Sequence, residues 1–404
     1  LNTSTGAPLQ PFSARKPRRM AIRALACCML ILSGCVEMTK APPRKDTDLY
    51  FLPLGGTGEI GMNLNLYRYK GRWLMVDLGV TFDAESAPGC DVIMPDITFI
   101  EAEKSRLDGL VLTHAHEDHL GAVEYLWHRL RCPIYATPFT AAVLKRKLAE
   151  NENQRSFPPI NIVPLSARFH VGPFDLELIS LTHSIPEPNA IAIRTDAGTI
   201  LHTGDWKIDP EPLVGENMDI DRLRELGQEG VLALVGDSTN ALVDGHSGSE
   251  AELRDSLISV IENRKGRVAV ACFASNVARL ETMSVVAQKV GRRAALVGRS
   301  MWRMYAAARE VGYLRDIPDF ITEEEAGYFP RDSILMVCTG SQGESRAALS
   351  RIASGGHPHV TLERGDTVIF SSRMIPGNEK SINALHNRLA SLGIEIVTDS
   401  DAFV

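Results

Sequence analysis

The sequence predicts an α/β protein of two units, an antiparallel-rich one followed by a doubly wound parallel one. Three observations predict it. From Leu49 onward, short β-rich runs are punctuated by glycine turns, the texture of hairpins. Near residue 245 the pattern changes to strands alternating with amphipathic helices, as in a parallel sheet covered by helices. The chain also has 404 residues, and a single core rarely grows past about 250–300 residues.

Residues 1–45 form an N-terminal extension set apart from the fold. Within it, "KPRRMAIRALACCMLILSGCVEM" has a basic stretch, an apolar run from Ala24 to Leu32 too short to span a bilayer, and then Leu-Ser-Gly-Cys. This resembles a bacterial lipoprotein signal with Cys35 lipidated. The chain opens on Leu1, however, and Met38 is a plausible start just ahead of the first strand. The extension is therefore read as non-native, with a cytoplasmic protein expected and a lipoprotein as the alternative.

The first unit begins with "LYFLPL", the turn "GGTGEIG", "MNLNLYRY", the turn "KGR" and "WLMVDLG", two hairpin-like steps. The apolar run "LDGLVLT" precedes "GAVEYLWHRL", which has helical spacing. Strands follow at "PIYAT", "INIVPL", "FDLELISLT", "AIAIRT" and "TILHTGD". In the second unit, strands "RVAVACF", "AALVG", "SILMVCTG", "DTVIFSS" and "IEIVT" alternate with helices such as "SNVARLETMSVVAQKVG" and "SINALHNRLASLG". Parallel sheets of this kind bind ligands at the C-terminal ends of their strands. The loops after "ACF", "VCTG" and "IFSS" therefore share one functional edge.

Composition is ordinary for a globular protein, 44% hydrophobic and 23% charged. A net charge of −7 does not point to a nucleic-acid binder, so any such role rests on a local site. Seven cysteines without a C-x-x-C pair fit reduced thiols better than a disulfide framework.

The chemistry concentrates in "LVLTHAHEDHLGA", residues 110–122. His114 and His116 alternate by two and project together from an extended segment, while Asp118 and His119 arrive as the chain turns into a helix. His183 ends one later strand and Asp205 another. Ligands at three strand tips build a site on rigid elements. Two groups at different depths suit two metal ions better than one, and the imidazole and carboxylate donors suit zinc. Glu117 is read either as orienting a neighbouring ligand or as solvated.

"THAHEDH" resembles the His-x-His-x-Asp-His signature of the metallo-β-lactamase fold, with Asp77 in "VDLG", His183 and Asp205 at the fold's other acidic and histidine positions. "FLPLGGTGEIGMNLNLY", "THSIPE", "HTGDWKID", "GDSTN", "FASNVAR", "CTGSQGE" and "IPGNEKSIN" in order are similar to bacterial ribonuclease J of the β-CASP group. The resemblance implies an αββα sandwich over residues 46–243 and a β-CASP domain, a parallel sheet flanked by helices, over 244–404. It implies one zinc held by His114, His116 and His183, another by Asp118 and His119, and Asp205 bridging them. Asp118 and Asp205 would hold the hydrolytic water, supported by Asp77 and Asp237. Substrate contacts are expected from Ser238, Asn240, Ser275, Asn276, Ser341 and Gln342.

Two departures accompany it. Ala278 stands where relatives often carry histidine. The final metal histidine has no match, since His246, His357, His359 and His386 fall outside the pattern, and the chain is read as C-terminally truncated. The basic clusters Lys145–Lys147, Arg264–Arg267 and Arg292–Arg293 are read as solvated helix ends, with Arg299 and Arg373 available to an RNA channel. The expected function is a zinc-dependent ribonuclease, 5′→3′ exonucleolytic and endonucleolytic, acting on RNA and homo-oligomeric when full length. A hydrolase of a small ester or thioester and an inactive RNA-binding fragment are the alternatives.

Overall fold

A computed structural model describes residues 46–82, 92–151, 156–245, 248–375 and 377–404. The extension with Cys35, and His246, lie outside the described residues.

β1 (Tyr50–Gly55), β2 (Leu64–Tyr69) and β3 (Arg72–Val76) pair antiparallel. Between β2 and β3, Lys70 and Gly71 both take positive φ (48° and 75°), which a two-residue type I′ turn requires. Beyond β3 the sheet departs from the antiparallel expectation. β4 (Leu107–Val111), β5 (Ile134–Ala136) and β6 (Ile160–Ile162) add in parallel, giving the order β1-β2-β3-β4-β5-β6. The connections explain it. Each crossover carries helix, namely α1 (Thr98–Ala102), then α2 (Glu117–Leu120) with α3 (Val123–Leu130), then α4 (Pro138–Glu150), and such crossovers join parallel strands. Strand composition alone does not report direction.

The second sheet has β7 (Arg168–Val171), β8 (Phe174–Ser180), β9 (Asn189–Thr195), β10 (Gly198–His202) and β11 (Ala233–Val235), in the order β11-β10-β9-β8-β7. Period-two alternation sorts its faces. In β3, Leu74 and Val76 point inward with Phe174, Leu176, Ile191 and Ile193 of the second sheet, while Trp73 and Met75 face the helices with Ile100, Leu126 and Phe139. On the outside of the second sheet, Ile179, Ala190 and Ala192 pack on Leu226 of α5 (Ile220–Glu229). The layers run α-β-β-α.

The third sheet is wholly parallel: β12 (Val268–Ala271), β13 (Arg293–Val297), β14 (Ile334–Cys338), β15 (Thr367–Phe370) and β16 (Glu395–Val397), in the order β13-β14-β12-β15-β16. Val268 and Val270 face α6 (Glu250–Ile261), α7 (Val277–Lys289) and α8 (Arg299–Glu310). Ala269 and Ala271 face α9 (Glu323–Ala326), α10 (Ala348–Ala353) and α11 (Glu379–Ser391). Burial on both faces explains the near-continuous apolar strands. This lobe packs on the sandwich through α8 against α4. Cys132, Cys272 and Cys338 are free and buried, and burial pushes the Cys132 and Cys272 thiols up to about 12, as in inert structural cysteines. Among the described residues no helix is long and apolar enough to cross a membrane.

Candidate metal centre

The ligand-bearing loops share one construction. β4 ends at Val111 and His114 follows; β8 ends at Ser180 and His183 follows; β10 ends at His202 and Asp205 follows. In each case the ligand stands three residues past the strand.

The single turn α2, which carries Asp118 and His119, has too few residues to hold itself. It lies instead across residues 78–80, held by backbone hydrogen bonds. Leu78 N donates to His119 O at 2.7 Å, Val80 N to Glu117 O at 3.0 Å, and Asn63 N to Asp118 O at 2.9 Å. The Asn63 amide Nδ2 donates to the same Asp118 carbonyl at 3.1 Å. At this crossing Gly79 has no room for a side chain, because a Cβ there would stand 1.7 Å from Asp118 O. Asp77 takes φ 62°, a left-handed conformation that non-glycine residues seldom adopt away from functional sites.

Around this frame the nitrogens converge. His114 Nε2 lies 2.9 Å from His116 Nδ1, which lies 3.2 Å from His183 Nε2. Ligand atoms around a tetrahedral zinc stand about 3.3 Å apart, given Zn–N bonds of about 2.0–2.1 Å. His119 Nε2 sits 3.5 Å from Asp118 Oδ2 and 3.4 Å from Asp205 Oδ1. Two donor sets result, His114 with His116 and His183, and His114 with His119 and Asp205. In this arrangement the residue common to both sets is His114, whereas the family resemblance assigns the shared place to Asp205.

A second layer orients these rings, built on the expected Asp77 and on Thr113, which the sequence did not single out. Buried Asp77 accepts Thr113 N at 2.8 Å through Oδ1, and Thr113 Oγ1 at 2.9 Å and His119 Nδ1 at 2.7 Å through Oδ2. His119 thus donates Nδ1–H to Asp77, and in its neutral form presents the Nε2 lone pair. Thr113 Oγ1, its proton given to Asp77, accepts from His114 Nδ1 at 3.0 Å, leaving the His114 Nε2 lone pair toward the site. Carboxylate–histidine pairs of this kind fix the tautomer of metal ligands. Tyr67 and His202, 2.8 Å apart and buried, lie beneath. Thr113 carried no signal, since threonine is common at strand ends.

The electrostatics suit a cation. Burial, then the neighbouring His119, His116 and His183, hold His114 well below the usual imidazole range. Burial lowers His183 to about 3. His119 is pushed well up, because the carboxylates of Asp118, Asp205 and Asp77 outweigh its burial. Burial raises Asp118 and Asp205, but His119 outweighs it and holds both below the carboxylate range. His114, His116 and His183 are neutral and Asp118 and Asp205 ionised, while His119 in the metal-free chain holds an extra proton that a divalent metal would displace, so the residues fit one.

The expected substrate residues are placed apart from this set. Asp237 N donates to Thr203 Oγ1 and its carboxylate accepts Thr239 N, while Ser238 and Asn240 are exposed. Ser275 is half-buried, and it is Asn276 that caps α7, its Oδ1 accepting Arg279 N at 3.0 Å. Ser341 is buried with its hydroxyl unpartnered. Gln342 braces the loop after β15, donating to Arg373 O and accepting Ile375 N, both at 2.9 Å. His357 Nδ1 accepts Val360 N, His359 is exposed, and His386 packs on Phe370.

The basic clusters need correction. Lys147 is not free in solvent; it is half-buried and its ammonium is held between Glu117 and Glu124. Arg292 is buried and donates to the carbonyls of Gly266 and Ile334, closing the sheet edge. A long side chain that buries its stem and satisfies its head inside is not distinguishable in sequence from a solvated one. Arg279 joins a buried pair with Glu250 and donates to Ser371, tying α6, α7 and the loop after β15. At the C-terminal ends of β12, β13 and β14 a cavity of about 1170 Å³ opens between the lobes, lined by Tyr125, Arg131, Phe273, Arg299, Arg346 and Arg351 among others.

Residues 61–271 match the metallo-beta-lactamase superfamily, and residues 265–389 match the ribonuclease J beta-CASP domain. The chain is 50% identical over 364 residues to "Ribonuclease J" of Sinorhizobium meliloti, covering 89% of this chain and 64% of that relative. It is 41% identical over 370 residues to "Ribonuclease J" of Mycolicibacterium smegmatis, covering 91% and 66%. The chain therefore spans just under two thirds of these curated relatives. A crystal structure of a protein of unknown function from Enterococcus faecalis V583 aligns with a TM-score of 0.56 at 16% identity, covering 86% of this chain and 87% of that one. That likeness bears on the fold alone.

Proposed function

The chain belongs to the metallo-beta-lactamase superfamily, and on that premise we propose that it carries the hydrolytic centre of a zinc-dependent ribonuclease. The observation that carries the reading is the convergence of His114, His116 and His183 beside His119, Asp118 and Asp205 at three strand tips. Zinc is the proposed metal because the donors are imidazole and carboxylate. Cations held there supply Lewis acidity toward a phosphoryl oxygen and lower the pKa of water.

The chain's own residues do the rest. Asp77 and Thr113 hold His119 and His114 in the tautomers that leave Nε2 free. Asp205, kept ionised by His119, is placed to orient water as a hydrogen-bond acceptor. The cavity between the lobes suits a single strand, with Tyr125 and Phe273 as stacking surfaces and Arg299 and Arg351 for phosphates. In this reading residues 46–243 bind metal and 244–404 grip RNA, through Ser275 near the α7 N-terminus among others. The relatives' printed name supports RNA as substrate. Both 5′→3′ exonuclease and endonuclease action, a cytoplasmic location and homo-oligomerisation are part of the proposal.

The test is cleavage of single-stranded RNA by the zinc-loaded chain and by His116→Ala. The variant should lose turnover with RNA affinity little changed, because the lost contribution is to the transition state. RNA bearing a 5′-monophosphate should be degraded faster than RNA bearing a 5′-triphosphate. Full activity in the variant, or hydrolysis of small esters without any of RNA, would overturn the reading.

A further inference from the structure

Glu117 stands between His116 and Asp118 in the metal loop, yet its carboxylate pairs elsewhere. Its Oε2 accepts from Lys147 Nζ at 2.8 Å, and the same ammonium lies 2.8 Å from Glu124 Oε1. Its Oε1 lies 3.7 Å from Arg303 Nη1. Arg303 in turn donates to Glu150 through Nε at 3.0 Å and Nη2 at 2.6 Å. Lys147 and Glu150 belong to α4, Glu124 to α3, and Arg303 to α8 of the parallel-sheet lobe.

The side chains of Lys147 and Glu124 are each 11% exposed and that of Arg303 is 15% exposed, whereas Glu117 and Glu150 at the outer side are 33% and 45% exposed. Salt screens such pairs much less than surface ones. Three carboxylates face two cations, so removing Arg303 strips Glu150 of its cation and leaves Glu117 to share Lys147 with Glu124. The metal loop is therefore held from two sides. Residues 63 and 78–80 grip its backbone, and the ion pairs grip the one side chain it turns away from the ligand set.

We propose that Arg303 is a positioning residue: through Glu117 it sets the loop that bears His116 and Asp118, and so couples the seating of the parallel-sheet lobe to metal affinity. This rests on the metal-centre reading. It gives Glu117 a role that loop solvation does not, and it explains why a helix of the other lobe presents a guanidinium to this loop.

The test compares Arg303→Met, Arg303→Lys and Glu310→Gln. The last breaks the pair of Glu310 with Arg146, which also joins α8 to α4 but does not reach the loop. Zinc affinity is measured by competition with a chromophoric chelator, and the cobalt(II)-loaded chain gives a visible spectrum that reports ligand geometry. Circular dichroism checks the fold. Arg303→Met should bind zinc more weakly by up to about 10-fold, the lower end of the loss seen for direct partners of metal ligands because Arg303 acts one residue further out, with an altered cobalt spectrum. Arg303→Lys should recover most of both, and Glu310→Gln should match the parent.

Parental affinity and spectrum in Arg303→Met would overturn the proposal, and so would an equal loss in Glu310→Gln, which would assign the effect to lobe docking. Should Arg303→Met fail to fold, Arg303→Gln is read by the same two measurements with the same outcomes. No RNA is used. A parent chain that binds no metal would sink the metal-centre reading together with this inference, whereas a chain that binds metal but cleaves no RNA leaves this inference standing.

Discussion

Replacing Thr113 with valine keeps the shape of the side chain and removes one hydroxyl, so its effect is polar rather than steric. Thr113 is wholly buried, and its Oγ1 makes the 2.9 Å bond to Asp77 and the 3.0 Å bond from His114 Nδ1. Asp77 Oδ2 keeps His119 Nδ1 at 2.7 Å, and its Oδ1 keeps the Thr113 backbone amide, so the carboxylate stays satisfied. The imidazole does not. Burial holds His114 neutral, and its Nδ1–H loses the acceptor nearest to it. Leaving one buried donor unpaired costs about 1–3 kcal/mol. The metal-free chain, unfolded in urea at neutral pH with a chelator present, should show a lower midpoint at unchanged m-value by that amount. Because the ring also loses what fixes its tautomer, zinc affinity should fall by about 10- to 100-fold, and Thr113→Ser should restore both. Stability within about 0.5 kcal/mol of the parent, together with parental zinc affinity, would refute the tautomer assignment.

Gly79→Ala should displace the Asp118–His119 turn, because the new Cβ would stand 1.7 Å from a backbone carbonyl. A cost at or above the usual overpacking range of about 1–3 kcal/mol, with lost metal stoichiometry by elemental analysis, is expected, and full zinc loading would contradict the cradle. Burial lowers His202 from 6.5 to about 4, so its neutral form contributes stability that is complete above pH 6.5 and is lost as pH falls through about 4. That slope, about 3 kcal/mol over the window, should flatten in His202→Gln when metal-free unfolding is followed at several pH values, and identical slopes would discount it. Arg279→Met strands the buried Glu250 carboxylate and should cost about 3–5 kcal/mol by denaturant unfolding, whereas a loss below about 1 kcal/mol would mean that water already reaches the pair.

The sequence by itself determined what depends on neighbours along the chain. The alternation of Val268 and Val270 with Ala269 and Ala271 marks a strand buried on both faces, because side chains on a strand alternate with a period of two. The clustering of the candidate ligands was legible for the same reason, since His114 through His119 occupy one short loop and His183 and Asp205 each follow a strand. Tertiary structure alone decided which distant groups meet them. Asn63 reaches Asp118, Asp77 reaches both Thr113 and His119, and Arg303 reaches Glu117 across the lobes. It also decided that β4 to β6 run parallel, that Lys147 is held between two carboxylates and that Arg292 is buried rather than solvated. Periodicity and spacing report local geometry, while strand direction and long-range pairing follow from how crossovers bring separate elements together, and no window of neighbouring residues contains that information.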